Sequence, residues 1–340
     1  MQWKIAILVL ALAVLACNLG APPQATLEPE FTPTLGPASS TTTPTLVVVP
    51  LQPSPVPSET FTPLPPPANS NAQPDENRIK FAPGGTWAEV GTHLNEGDEI
   101  RYVLSAIKGQ VMSVSIRQSW PFTVEVISST GPLIDPGVEH PFWRGTLPAT
   151  GDYTIIVKTQ ATGDFTLRVA VNPPGEAYQY FDYLDPRHLY SLRYSDEFAP
   201  TTYIPSGDFK GEPNLVLEFI RPDFYQPTTN LGEAYFLLST LDDAQAVATC
   251  TQPLPQLETV TGQKTFNGYT FTQSEAIGVG AGNIYDQVIY RTAYNNICYE
   301  VVFFMHSGNI GNYPPGTVVE FDRAALVQKF EQVLASFNVP

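Results

Sequence analysis

The sequence predicts a multi-domain fold in which an all-β sandwich or jelly roll is followed by an α+β domain, after a disordered Pro/Thr-rich stalk. Three patterns support this prediction. Residues 18–77 hold 15 of the 34 prolines, residues 78–173 alternate apolar with polar side chains, and residues 174–340 combine strand patterns with a final amphipathic helix. We take these limits as the domain boundaries, with residues 1–17 as a separate leader.

The leader has the pattern of an export signal. One Lys near the start is followed by an unbroken apolar run of 12 residues, from Ile5 to Ala16. A membrane-spanning helix needs about 20 apolar residues, so this run fits the apolar region of a signal peptide. The segment Val14–Cys17 resembles the lipobox of bacterial lipoproteins. That resemblance implies lipidation of Cys17 and a protein anchored to the cell membrane, facing outside the cytoplasm; an ordinary signal peptide with an incidental Cys17 is the alternative.

The stalk, residues 18–77, cannot build a core. It contains no Lys or Arg and is rich in Pro, Ser and Thr. Proline-rich chains favour an extended polyproline II conformation of about 3.1 Å per residue, so this segment is predicted to be a spacer between the membrane and the folded part. A plain spacer and an O-glycosylated stalk both fit the composition.

The first folded domain, residues 78–173, shows the alternation of half-buried strands. Met112, Val114 and Ile116 alternate with polar residues, and the same pattern recurs at 153–157 and 165–171. Glycine-containing turns separate these stretches, and no amphipathic helix pattern is visible. The pattern predicts an antiparallel β-sandwich.

Four blocks of this domain resemble the successive strands of bacterial pre-peptidase C-terminal domains: Leu94–Ile100, Ala106–Met112, Leu147–Val157 and Gly163–Leu167. The resemblance implies a non-catalytic accessory sandwich of the kind that accompanies secreted hydrolases, with a role in secretion or attachment to substrate. Here the sandwich precedes another domain instead of following a peptidase. Some members of the family bind calcium, but the local acids form no ligand cluster in this sequence, so we predict no metal site.

Three aromatic residues, Trp120, Phe142 and Trp143, fall in or beside predicted loops of this domain. Exposed rings stack on sugars or grip a peptide, which makes these residues candidate ligand contacts. The alternative is that they close the core or a seam between the domains. The tyrosine-rich run 178–194 is predicted to form that seam.

The second folded domain, residues 174–340, ends in an amphipathic helix pattern over 322–337, with Asp322 as the predicted N-cap. A shorter helix is predicted at 242–250, and a tight hairpin turn at 294–297. The predicted strands are 215–220, 233–239, 265–272, 284–294 and 297–305. Adjacent strands with few helices indicate an α+β domain. The layout faintly resembles PsbP/Mog1-like α/β/α sandwiches.

Beside Cys17, the chain has two cysteines, Cys250 and Cys298. An even pair in an exported protein predicts a disulfide. The alternative is a nucleophilic thiol with His306 as its base.

The charge balance excludes one class of function. The chain has 33 acidic and 17 basic residues and a formal net charge of -16. Nucleic-acid binders need clustered Lys and Arg to neutralise phosphates, so no nucleic-acid partner is predicted. Most of the negative charge lies in residues 173–340, which contain 19 acidic and 8 basic residues. That excess favours cationic ligands slightly, but a solvated acidic face explains it equally well.

The sequence contains few patterns that resemble catalytic motifs. The four histidines fit no metal-binding motif and there is no Gly-x-Ser-x-Gly sequence, so we predict no cofactor, metal or catalytic residue. Asp185, His188 and Ser191 form a triad-like run, but triads are assembled from separate elements and a polar loop explains this run better. The glycines of Gly278–Gly282 lack the Lys of a phosphate-binding loop and indicate a flexible turn or bulge.

The sequence therefore favours a membrane-anchored extracytoplasmic lipoprotein that acts as a non-catalytic binding, adhesion or accessory module. Its predicted partners are the membrane, through the lipid anchor, and a cell-wall polymer, glycan or surface protein. The alternative is a secreted hydrolase whose active site lies unrecognised in residues 174–340.

Overall fold

The computed structural model describes residues 77–118, 121–134, 140–222 and 228–340, which belong to one compact unit. The predicted leader with Cys17, the predicted stalk up to residue 76, and Trp120 lie outside the described residues. Strand pairing is antiparallel throughout the four sheets of the described chain. The predicted order, an all-β sandwich followed by an antiparallel sheet with packing helices, is confirmed.

The first part of the fold is a sandwich of two four-stranded sheets, with strand orders β1-β8-β3-β6 and β2-β7-β4-β5. Its strands are β1 (Trp87–Leu94), β2 (Glu99–Ala106), β3 (Val111–Ile116), β4 (Phe122–Ser128), β5 (Gly131–Pro132), β6 (Phe142–Thr146), β7 (Gly151–Thr159) and β8 (Gly163–Val171). The alternation that predicted β3 is realised, because Met112, Val114 and Ile116 are buried in the core between the sheets.

The second part contains a hairpin of β9 and β10 and a seven-stranded sheet of order β11-β12-β13-β17-β16-β15-β14. Its strands are β9 (Tyr180–Leu184), β10 (Ser191–Ser195), β11 (Phe198–Pro200), β12 (Pro213–Phe219), β13 (Leu231–Leu241), β14 (Thr259–Phe266), β15 (Tyr269–Gly280), β16 (Asn283–Tyr294) and β17 (Ile297–Gly308). The predicted hairpin turn between the last two strands is present, with Asn295 and Asn296 at positive φ.

The described residues of this second part include two α-helices, α1 (Ala244–Ala248) and α2 (Arg323–Leu334). Both begin after an Asp, as the sequence predicts for α2. The side chain of Asp322 accepts a hydrogen bond from the backbone N–H of Ala325 at 2.9 Å, and Asp243 caps α1 in the same way.

The seven-stranded sheet has two different faces. One face is covered by α2, whose Phe330 ring stacks on Phe303 of β17 with 5.1 Å between ring centres. The opposite face, which we call the outer face, carries Tyr235, Gln287 and Phe304, and the chain around Phe209 packs against it. Both faces pack apolar residues, so neighbouring side chains along the central strands are buried alternately on one side and the other.

The single predicted strand over 265–272 is wrong. The structure has two strands there, β14 and β15, joined by a tight turn at Asn267 and Gly268 with φ of 45° and 85°. Asn-Gly is a strong two-residue hairpin signal because both residues tolerate positive φ. The apolar and β-branched residues on either side obscured the turn.

Candidate functional site

A groove of about 370 Å³ runs between α2 and the chain segment that leaves the sandwich. Tyr178 and Tyr180 line it on one side, and Gln328 and Gln332 of α2 line it on the other. The two glutamines are four residues apart on the helix, so their side chains share one face. We call this site the tyrosine groove, after the two rings.

The two rings are presented to solvent. Tyr178 is 38% exposed and Tyr180 is 55% exposed. The Tyr178 ring is also near two cations, with the Arg144 guanidinium carbon 5.4 Å and the Lys329 Nζ 5.7 Å from its centre. Cation–π contacts of this kind favour one ring orientation over others. The groove therefore has at least one aromatic surface in a defined position.

Four polar groups of the groove have no hydrogen-bond partner in the part of the chain that the structure describes. Among the described residues, nothing forms a hydrogen bond with the side-chain amides of Gln328 and Gln332 or with the hydroxyls of Tyr178 and Tyr180. A glutamine amide offers both donors and an acceptor, and a tyrosine hydroxyl offers one donor and an acceptor. The groove can therefore make several new hydrogen bonds to a ligand without breaking internal ones.

The charges of the groove are neutralised in pairs. Lys329 Nζ lies 2.7 Å from a carboxylate oxygen of Glu197, and Arg193 Nε lies 2.7 Å from a carboxylate oxygen of Asp182. The hydrogen bond from Arg193 lowers the pKa of the Asp182 carboxyl. A groove with paired charges, aromatic rings and unpaired amides suits an uncharged polar ligand better than an ion.

The groove wall is fixed to the sandwich through a polar and aromatic seam. Arg168 of β8 donates a 2.6 Å hydrogen bond to the Tyr194 hydroxyl, and its guanidinium lies 4.5 Å from the Phe181 ring centre. Arg144 of β6 donates to the buried carboxylate of Asp196 at 3.1 Å. The run 178–194 thus forms the predicted seam and lines the groove at the same time.

The aromatic candidates of the sandwich are buried. Phe142 is 2% exposed and packs against Ala199 and Ile220 in the seam, and Trp143 is 5% exposed and belongs to the sandwich core. The burial of Phe142 and Trp143 agrees with the alternative given above, in which these rings close a core or a seam between the domains. With Trp120 outside the described residues, a ligand-binding role for the three rings stays a prediction.

Cys250 and Cys298 form the expected disulfide, with 5.4 Å between their Cα atoms. The bond joins the end of α1 to β17, and both residues are buried. The alternative of a thiol nucleophile served by His306 is wrong in this structure because neither sulfur carries a free thiol.

The triad-like run is a turn. The buried carboxylate of Asp185 accepts a hydrogen bond from the backbone N–H of Arg187 at 2.9 Å, and the backbone N–H of His188 donates to the Asp185 carbonyl at 2.7 Å. His188 has a φ of 57°, which is typical of a turn position. The polar-loop interpretation is confirmed. Gly278–Gly282 forms the end of β15 and the tip of its hairpin with β16.

The sequence missed a titratable cluster on the outer face. Tyr235 donates a 2.9 Å hydrogen bond to Glu233, whose carboxylate also lies 3.3 Å from Nδ1 of His306. Nε2 of His306 lies 3.1 Å from the amide oxygen of Asn283. Glu218 stands opposite Tyr235 in the β12–β13 register, and burial together with the charge of Glu233 raises its pKa to about 8.

The residues of this cluster come from four strands, β12, β13, β16 and β17. No short sequence motif therefore predicts the cluster. The alternation in β13, which places Glu233 and Tyr235 on one face, is the one signal in the sequence. Within the described ranges, no group of His, Cys, Asp and Glu is arranged to hold a metal ion. The described part of the chain also contains no helix that is long and apolar enough to cross a bilayer.

No protein-family model matches the chain, and no curated protein matches it significantly. Among solved structures, a periplasmic inhibitor of g-type lysozyme from Aeromonas hydrophila is 27% identical, with a TM-score of 0.24, over 28% of this chain and 95% of that one. The pre-peptidase C-terminal domain of a Bacillus anthracis collagenase is 17% identical, with a TM-score of 0.21, over 30% of this chain and 100% of that one. A Bacteroides thetaiotaomicron protein matches 47% of this chain and 48% of its own length at 15% identity, with a TM-score of 0.29. With TM-scores this low, none of these likenesses assigns a family or a function to the chain.

Proposed function

We propose that this protein is a lipid-anchored extracytoplasmic lipoprotein that binds a hydroxyl-rich glycan in the tyrosine groove without catalysis. The observation that carries the proposal is that one groove gathers two exposed rings and four polar groups to which no described residue forms a hydrogen bond.

A sugar ring matches this set chemically. One face of a pyranose is formed by C–H groups and packs on an aromatic ring, while its hydroxyls donate and accept hydrogen bonds around the edge. The Gln328 and Gln332 amides donate and accept at neighbouring positions, which suits adjacent hydroxyls. The ion pairs Lys329–Glu197 and Arg193–Asp182 leave the groove without a dominant charge, so a neutral glycan fits better than a polyanion.

The remaining features support an extracytoplasmic location. A buried disulfide fits an oxidising compartment. The leader with Cys17 and the proline-rich stalk supply export, anchoring and reach, since two or more acyl chains make anchoring durable. The sandwich consists of two packed β-sheets, and we assign it the accessory role of supporting the wall of the groove.

The glycan proposal is tested with the full-length chain in detergent micelles. Insoluble peptidoglycan, chitin, xylan and cellulose are sedimented with the wild type, with Tyr180→Ala and with Tyr203→Ala, an exposed tyrosine outside the groove. We expect retention on at least one polymer that is lost in Tyr180→Ala and kept in Tyr203→Ala. Retention on none of the polymers, or equal retention of both variants, overturns the proposal.

The anchor is tested separately. In a bacterial host fed an alkynyl fatty acid, the wild-type chain should become labelled and sediment with membranes, while Cys17→Ser should be unlabelled and remain soluble outside the cytoplasm. Labelling of the Cys17→Ser variant would contradict lipidation at this residue.

One observation favours a second candidate, a hydrolase. The outer-face cluster combines a carboxyl with a raised pKa, Glu218, with Glu233, a second carboxyl that contacts His306. A carboxyl with a raised pKa can supply the proton donor for a leaving group, and a second carboxyl in the same cluster can orient water. Release of soluble reducing ends or peptides from the same four polymers, abolished in Glu218→Gln and in Glu233→Gln, would establish this activity; its absence leaves the binding function alone.

A further inference from the structure

We propose that a cleft on the outer face binds a small primary amine with an aromatic body. The cleft has a volume of about 230 Å³ and lies on the side of the seven-stranded sheet away from α2. Tyr285, Gln287 and Phe304 line it from the sheet, and Asp208 lines it from the chain that packs over this face. It shares no lining residue with the tyrosine groove, so the inference is independent of the proposed glycan binding.

Gln287 is the polar group that marks the cleft as a binding site. It lies on β16, is 8% exposed, and faces Phe304 and Ala276 across the neighbouring strands. No described residue forms a hydrogen bond with its side-chain amide, although the amide borders the cleft. The amide atoms border the cleft and are not used by the fold, so a polar atom of a bound molecule can pair with them in place of solvent.

Asp208 supplies the charge. Its carboxylate is exposed at the cleft and makes no ion pair or hydrogen bond with the described residues. The nearest basic residue along the chain, Lys210, is paired with other groups. Lys210 Nζ donates to the carbonyls of Thr249 and Cys250 at 2.7 and 3.0 Å, and its backbone N–H donates to Glu300 at 2.8 Å. Asp208 is therefore available to an ammonium group of a ligand.

Arg291 is the other basic residue that could pair with Asp208, but it is also paired with other groups. It lies between two buried carboxylates, with Nε 2.6 Å from Glu300 and Nη2 2.6 Å from Glu258. Glu258 borders the cleft but is neutralised by this contact. Asp208 is left as the one lining carboxylate, among those the structure describes, that has no cationic partner.

The rest of the lining is apolar and aromatic. The Tyr285 and Phe304 rings lie 6.3 Å apart, and Tyr285 is held in place by stacking on His306 with 4.7 Å between ring centres. Leu257 and Ile277 at the rim are 51% and 67% exposed. An aromatic body buries this apolar surface while its amine reaches Asp208 and a polar substituent reaches Gln287.

The test uses the full-length chain in detergent micelles and three probes of the same shape. Tyramine carries the amine, tyrosol replaces the amine by a hydroxyl, and 4-hydroxyphenylacetate carries a negative charge. Binding is measured by isothermal titration calorimetry and by saturation-transfer NMR. We expect saturable binding of tyramine, about fivefold weaker binding of tyrosol, and no binding of the anion.

Two variants and a control locate the site. Asp208→Asn should remove the preference for tyramine over tyrosol, and Gln287→Leu should weaken both probes. Asp164→Asn, an exposed carboxylate on the sandwich, should change neither. No saturable tyramine binding, equal binding of tyramine and tyrosol by the wild type, or an unchanged preference in Asp208→Asn overturns the proposal. Because Asp208 is exposed, its variant decides the test even if Gln287→Leu does not fold. A Tyr180→Ala variant that still binds tyramine separates this site from the glycan proposal.

Discussion

The guanidinium carbon of Arg168 lies 4.5 Å from the centre of the Phe181 ring, so the last strand of the sandwich contacts the first strand of the following hairpin. Trp87 of β1 packs edge-on against the same ring at 5.6 Å. These contacts place the sandwich and the hairpin in a defined arrangement, and the hairpin continues into the tyrosine groove. The sandwich thereby supports the wall on which Tyr178 and Tyr180 are presented.

The seam should be sensitive to the loss of Arg144. Asp196 is buried, and desolvation raises its pKa even though Arg144 hydrogen-bonds to it. The variant Arg144→Met leaves that carboxylate buried without its cation and should lower the free energy of unfolding by about 3 kcal/mol, as measured by urea denaturation. Arg101→Met is the matched control, because Arg101 and Glu99 form an exposed pair that contributes little. Equal stability of the two variants would show that the Arg144–Asp196 contact does not stabilise the seam.

The disulfide should stabilise the second part of the fold. The two cysteines are separated by 48 positions in sequence, and closing a loop of that length contributes about 4 kcal/mol on the chain-entropy model. The double variant Cys250→Ala/Cys298→Ala should show this loss by urea denaturation, and reductant should destabilise the wild type but not the variant. A wild type that is insensitive to reductant under denaturing conditions would contradict the expectation.

Glu218 should make stability depend on pH. Its pKa rises from an ordinary value of 4.5 to about 8 in the folded state, through burial and the nearby charge of Glu233. The folded chain therefore holds this proton over a range where the unfolded chain has released it. The resulting stability is fully present below pH 4.5 and is lost as the pH rises through 8.

The variant Glu218→Gln removes this titration. It should lose less stability than the wild type between pH 5 and about 8, measured by urea denaturation at each pH. Glu176→Gln, an exposed acid in the turn after β8, is the control and should follow the wild type. Parallel pH profiles for the wild type and Glu218→Gln would mean that the carboxyl titrates near its ordinary pKa.

The turn between β14 and β15 should require its glycine. Gly268 has a φ of 85°, and a side chain in this left-handed region costs about 1 kcal/mol. Gly268→Ala should therefore lower the melting temperature by several degrees, whereas Gly280→Ala should be neutral. Gly280 lies in a strand with open space where a Cβ would stand. A neutral Gly268→Ala variant would show that the hairpin tolerates another turn geometry.

The sequence predicted features that depend on neighbouring residues in the chain. The alternation at Met112, Val114 and Ile116 located a sandwich strand, and Asp322 marked the start of α2. The disulfide followed from an even pair of cysteines together with the export pattern of the leader. The turn at Gly268 was missed because the residues on both sides continue a strand-like pattern.

The sites could not be predicted because their residues come from distant elements. Tyr180 and Gln328 meet only when α2 packs beside the β9–β10 hairpin, and Gln287 and Asp208 meet only when the chain before β12 crosses the outer face. The sequence also does not show which aromatic side chains the fold buries. Phe142 and Trp143 look like exposed loop aromatics in the sequence, but their environment in the fold is a seam and a core.

Isothermal titration of chitotetraose, xylotetraose and cellotetraose into the full-length chain tests the central claim most directly, with a Tyr180→Ala/Gln328→Ala variant measured alongside. The double variant removes one exposed ring and one unpaired amide from the groove. We predict that at least one oligosaccharide binds the wild type and that its affinity falls by about tenfold or more in the variant. If none of the three binds a wild type that is also not retained on peptidoglycan, or if the variant binds as tightly as the wild type, the tyrosine groove is not a glycan-binding site.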